Sequence, residues 1–92
     1  MKYRTRTDIT SQILESASYG ATKAKIMYEA FLSYEQLRGY LEPLVENGLL
    51  DCNSSGQIYK TTVKGRKLLK VYHELAGYIL PVEQQLAEKI HL

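Results

Sequence analysis

The chain has 92 residues, 45% hydrophobic and 24% charged, which allows one compact domain with a modest core and excludes a disordered chain. No apolar run nears the ~18 residues of a membrane-crossing helix, and Met1-Lys2-Tyr3-Arg4 forms no apolar signal core, so an intracellular protein is expected. The single cysteine, Cys52, excludes an internal disulfide and a cysteine-cluster zinc site, and a net charge of +2 does not by itself point to a polyanion.

Ile9, Ile13, Leu14 and Ala17 fall on one helical face and predict a first helix over about 8–19. Thr7 is the expected cap, Asp8 suits the positive dipole end, and Gly20 offers a left-handed stop. Thr22 starts a second helix of about two turns, with Ile26, Met27 and Ala30 on its apolar side. Ser33 with Gln36 three residues on is a capping-box pattern, and Leu37, Leu41, Leu44 and Val45 form the stripe of a third helix over 34–46, ended by Asn47-Gly48. The link between helices 2 and 3 is so short that the pair predicts a helix-turn-helix. Residues 49–52 and 57–61 flank Asn53-Ser54-Ser55-Gly56 and predict a β-hairpin, a wing over 49–61.

Thr61 or Thr62 then caps a C-terminal helix. In it Leu68, Tyr72, Leu75, Ile79, Val82 and Leu86 are spaced alternately by four and three. That is an a/d seam of about two and a half heptads, and it predicts dimerisation through residues 66–92. Pro81 cannot donate to the carbonyl of Gly77, and Pro43 stands in the same relation to Gly39. Glycine four residues before proline lets the backbone tilt, so kinks are expected, with a break into two helices the alternative at 77–81. The expected fold is mainly α with a small hairpin (α+β): a winged helix-turn-helix over 1–66 and a dimerisation helix over 67–92, within one compact unit.

Charge is unevenly spread. Residues 1–25 carry net +3, 26–59 net −4, 60–70 five cations and no acid, and 71–92 net −2. Two basic blocks between acidic stretches fit a polyanion-facing side and a solvated side, although the same cations can simply solvate helix surfaces.

The stretches Lys25-Ile26-Met27-Tyr28, Leu32-Ser33-Tyr34, Gln36-Leu37, Tyr40-Leu41, Leu44 and Asn47-Gly48-Leu49-Leu50 closely resemble small archaeal winged-helix regulators. Tyr59, Thr62, Lys64-Gly65 and Leu69 extend the likeness over roughly residues 5–76. The family includes the crenarchaeal 10a-type chromatin proteins, similar in size, whose long C-terminal helix forms an antiparallel coiled-coil dimer. The resemblance implies binding of double-stranded DNA and homodimerisation. Pro43 inside helix 3 and Gly77 with Pro81 in the last helix depart from it.

The arrangement places the start of helix 3 in a major groove, so Ser33, Tyr34, Gln36 and Arg38 are candidates for base or phosphate contact. Gln36 can pair with adenine and Arg38 with guanine. Lys2, Arg4, Arg6, Lys23 and Lys25 from the first basic block, Asn53, Ser54 and Ser55 at the wing tip, and Lys60, Lys64 and Arg66 are expected to face phosphates. Two features oppose this. The capping box can occupy Gln36, and Glu35 and Glu42 repel phosphates unless Arg38, one turn from each, pairs with them. His73 and His91 are too isolated for a metal site or a triad, and the glycines lack the lysine spacing of a phosphate loop. No catalytic residue, metal, cofactor or small-molecule ligand is expected, and an enzyme is not. The expected role is a homodimeric DNA-binding regulator or chromatin protein in the cytoplasm, on the nucleoid. The alternative is a winged-helix module whose helix 3 docks a protein.

Overall fold

The computed structural model describes residues 4–90, with the side chain of Ile90 left aside. Three short helices, α1 (Arg6–Ser16), α2 (Lys23–Ala30) and α3 (Tyr34–Glu46), precede an antiparallel hairpin of β1 (Leu50–Cys52) and β2 (Tyr59–Thr61). A long helix, α4 (Val63–Ile90), completes the chain. This is the winged order expected from the sequence.

Helix α1 starts two residues earlier than expected. Thr5, not Thr7, is the cap: its hydroxyl accepts the Asp8 N–H at 3.0 Å while the Asp8 carboxylate accepts the Thr5 N–H at 2.9 Å. Only Thr5 puts an acid three residues on, and the reciprocal pair satisfies two amides that the first turn would leave open. The helix also ends sooner, at Ser16 with Ala17 as cap, and Gly20 takes its positive φ of 92° outside the helix. The carbonyl of Ala17 is taken by the amides of Gly20 and Thr61, both at 3.0 Å, so docking of the hairpin ends the helix.

Thr22 caps α2, as expected, and Phe31 closes it in the left-handed region at φ 53°. Helix α3 matches its predicted span, with the Ser33–Gln36 box formed at both ends and Pro43 carried inside the helix. The strands are shorter than the predicted 49–52 and 57–61. Leu50 pairs with Thr61, Asp51 with Lys60 and Cys52 with Tyr59, which turns Leu50, Tyr59 and Thr61 inward and Asp51 and Lys60 outward. The sequence reading missed a third edge: Ala21 exchanges both backbone hydrogen bonds with Tyr59 at 2.8 Å. Ile13, Leu14, Ile26, Leu37 and Leu50 form the fully buried centre.

Of the two possible caps for α4, Thr62 serves, accepting the Gly65 N–H at 3.0 Å. The helix then runs through Gly77 and Pro81 to Ile90 without a break, so the two-helix alternative at 77–81 is overturned. Nothing lies within 4 Å of where a Gly77 β-carbon would be, and the segment is exposed, so the carbonyl that Pro81 leaves open can reach water. Gly65 serves a different purpose. A β-carbon there would stand 2.4 Å from the Leu49 carbonyl oxygen and 2.6 Å from the Thr61 methyl. Gly65→Ala should therefore lower stability by about 1–3 kcal/mol, because overpacking outweighs the better helix propensity of alanine. Chemical denaturation measures this; an unchanged or raised midpoint would show that the contact relaxes freely.

Helix α4 is tied to α1 by Tyr72, whose hydroxyl donates to Asp8 at 2.5 Å. That hydrogen bond, with the Thr5 amide next, holds the Asp8 carboxyl below the usual carboxylate range. Conversely, donation to Asp8 and then burial push the Tyr72 phenol up. A carboxyl lowered on folding adds stability above its unfolded pKa, and that stability is lost as pH falls through the folded value. Tyr72→Phe should thus destabilise the protein at neutral pH and progressively less on acidification, with the Asp8 carboxyl titrating closer to its ordinary value. A carbon-detected titration of Asp8 in both proteins checks this, and identical curves would rule it out.

Candidate nucleic-acid interface

Three chain segments meet at the start of α3. The cap at Ser33 fixes its first turn, the Ala21–Tyr59 bridge brings the α1–α2 loop beside the hairpin, and Lys23 at the head of α2 reaches back over α3. Its ammonium lies 5.9 Å from the centre of the Tyr34 ring, a cation–π distance. Tyr34 is half exposed. Burial first, and Cys52 next, push the Tyr59 phenol up, so it stays neutral. The free surface at this junction thus carries Tyr34 and Arg38, with Lys23 over the Tyr34 ring.

Arg38 is exposed and, among the described residues, makes no ion pair with Glu35 or Glu42. The local pairing that would have neutralised Glu35 and Glu42 is not formed, so the guanidinium is open to a ligand while both carboxylates stay unneutralised beside it. Gln36 is a different case. Its side-chain oxygen accepts the Ser33 N–H at 2.9 Å, and the Ser33 hydroxyl accepts the Gln36 N–H at 3.1 Å. Bidentate pairing of Gln36 with adenine would break the cap, so both residues hold the helix rather than read a base.

The cations divide in the same way. Arg4 does not stand free toward phosphate: its guanidinium donates to Gln12 at 2.6 Å, to the Phe31 carbonyl at 3.0 Å and to the Ala30 carbonyl. It clasps the end of α2 to α1, where the open carbonyls of a helix terminus attract a cation. Lys64 likewise donates to the Asn47 carbonyl at 2.7 Å and closes the end of α3. Arg6, Lys25, Lys60 and Arg66 are exposed; Lys2 lies outside the described residues. Arg6 sits in a hollow between α1 and α4 beside Leu68, Leu69 and Tyr72, away from the start of α3.

The wing tip is held from within. The Asn53 side-chain oxygen accepts the Ser55 hydroxyl and the Gln57 and Ile58 amides at 3.0–3.1 Å. Asn53 and Ser55 therefore shape the turn, and Ser54 alone of the three predicted tip contacts has no such task.

The predicted seam on α4 is only partly free. Leu68 is exposed but borders the hollow against α1, and Tyr72, expected as an interface residue, is instead committed to Asp8 and α1. Leu75, Ile79, Val82 and Leu86 are all exposed. Of these, Leu75 and Ile79 border a groove of about 530 Å³ between α1 and α4 that also takes in Arg4, Asp8 and Glu83. The spacing alone missed Val71, Tyr78 and Leu80, which are exposed as well and widen the apolar face. His73 lies on the surface, 3.8 Å from Glu15. Among the described residues no cluster of His, Cys, Asp or Glu could hold a metal ion, and no helix is long and apolar enough to cross a membrane.

A family model described as winged helix-turn-helix matches residues 3–79. Among solved structures, the chain is similar to the crystal structure of Sso10a-2, a DNA-binding protein from Sulfolobus solfataricus. The TM-score is 0.74 with 22% sequence identity, over 92% of this chain and 95% of that one, a likeness of fold that includes the long last helix. No curated protein matches the sequence.

Proposed function

The chain belongs to the winged helix-turn-helix family, and from that premise we propose that it binds double-stranded DNA as a homodimer, acting as a transcription regulator or chromatin-associated protein. The observation that carries the reading is the junction at the start of α3. There an exposed, unpaired Arg38 stands one helical turn beyond Tyr34, whose ring Lys23 covers. In this geometry α3 enters the major groove, Arg38 meets base edges, and Lys23, Lys25 and Lys60 meet flanking phosphates. The similarity in fold to a DNA-binding protein supports the same reading.

Self-association rests on the exposed Leu75, Ile79, Val82 and Leu86, which a lone chain leaves to water. Charge order along α4 favours an antiparallel pair: its start holds Lys64, Arg66, Lys67 and Lys70, and its far half Glu83 and Glu88 against Lys89. Antiparallel packing sets basic against acidic ends, whereas parallel packing stacks like on like.

A gel-shift titration on random and genomic duplexes at two salt concentrations tests the reading; binding that weakens steeply with salt is expected. A second reading, docking of a protein by α3, is favoured by Glu35, Glu42 and Glu46 on its exposed side. Absence of binding at low salt would decide for it.

A further inference from the structure

We propose that Tyr19 and Ile58 form an uncharged contact patch that seats against the sugar and base-edge surface of the DNA groove beside α3; the proposal rests on the DNA-binding reading. Tyr19 is 97% exposed in the α1–α2 loop, and Ile58, where the wing-tip turn enters β2, is 37% exposed. The fold brings them to one edge. Gly20 turns at φ 92° so near Ile58 that a β-carbon there would lie 3.4 Å from its methyl group, and Ala21 pairs with Tyr59 on both sides. Two residues on, Lys23 covers Tyr34. Tyr19 thus stands in the stretch of chain that passes Ile58 at Gly20, pairs with the wing at Ala21 and reaches the start of α3 at Lys23.

The composition of the wing favours such a contact. Residues 53–57 carry no charge, and Asn53 is consumed in shaping the turn, so the tip has little electrostatic hold on phosphate. An apolar edge can instead gain by excluding water from deoxyribose and base edges. Tyrosine suits the position, since its ring gives area at a low cost in ordering.

Fluorescence anisotropy of a labelled duplex, titrated with the full chain over a salt series, tests the patch. Tyr19→Ala should weaken binding roughly tenfold. It should leave the slope of log affinity against log salt unchanged, because no counterion is released by a neutral ring. Tyr19→Phe should stay within about twofold of the unaltered protein, since the ring is kept. Tyr28→Ala removes a ring that is 83% exposed on the side of α2 away from Ile26, and should change nothing. Tyr19 is so exposed that folding is not at stake. An unaltered affinity for Tyr19→Ala, an equal loss for Tyr28→Ala, or a changed salt slope would each overturn the patch and leave the DNA-binding reading standing. Failure of the unaltered protein to bind any duplex would overturn both.

Discussion

Leu75→Glu should convert a species of about twice 10.5 kDa into one of 10.5 kDa, read by light scattering after size exclusion. The residue stands in the middle of the apolar face of α4 and is 55% exposed in the single chain. Its replacement therefore does not disturb the monomer core, and circular dichroism should be unchanged. In a dimer, each subunit would bury a carboxylate without a partner. Even after relaxation an unpaired buried ion costs several kcal/mol, so a loss of about 4 kcal/mol, or a thousandfold in Kd, is a conservative expectation. DNA binding by the monomeric variant should fall as well, since two linked modules gain from each other's local concentration. An unaltered protein that elutes at 10.5 kDa at tens of micromolar, ~10⁻⁵ M and so within reach of a weak dimer, would overturn the dimer.

Arg38→Ala and Lys60→Ala should weaken DNA binding in distinguishable ways. Arg38 is the one basic side chain on the exposed face of α3 and has no ion pair among the described residues. Its loss should cost about 1–3 kcal/mol on a preferred site and far less on random duplex, as for a bidentate guanine contact. Lys60 points outward from β2 opposite Asp51. Its loss should weaken all duplexes alike and lower the salt slope by about one unit. Equal losses on both DNAs for Arg38→Ala would indicate shape-dependent, chromatin-like binding. Arg4→Ala should behave as neither: by freeing the Ala30 and Phe31 carbonyls it should lower the melting temperature before it touches the salt slope.

The helix-turn-helix was legible because its signals are local. Thr22, Ser33 with Gln36, and the Leu37–Leu41–Leu44 stripe act within one or two turns, and both α2 and α3 lie where these residues place them. The start of α1 was legible too, for the Thr5–Asp8 spacing is a capping box; the nearer Thr7 drew the boundary two residues too late. The candidate site was less legible. Charge and exposure singled out the correct types of residue, but which cations are free depends on carbonyls far along the chain. Arg4 is taken by Phe31, 27 residues away, and Lys64 by Asn47, 17 away.

The sequence by itself determined the order of elements, the caps of α2 and α3, the hairpin and the amphipathic stripe of the last helix, because side chains within a few residues of each other settle those. Only the tertiary structure decided where α1 ends, why residue 65 has to be glycine, and what Tyr72 does. Each turns on a partner distant in sequence: the Thr61 amide on the Ala17 carbonyl, the Leu49 carbonyl against Gly65, and the Asp8 carboxylate 64 residues from Tyr72. Hydrophobic periodicity reports which side of a helix is buried, but not which polar atoms meet there. Those meetings are fixed by packing, and here they separate the residues that build the domain from those left free to bind.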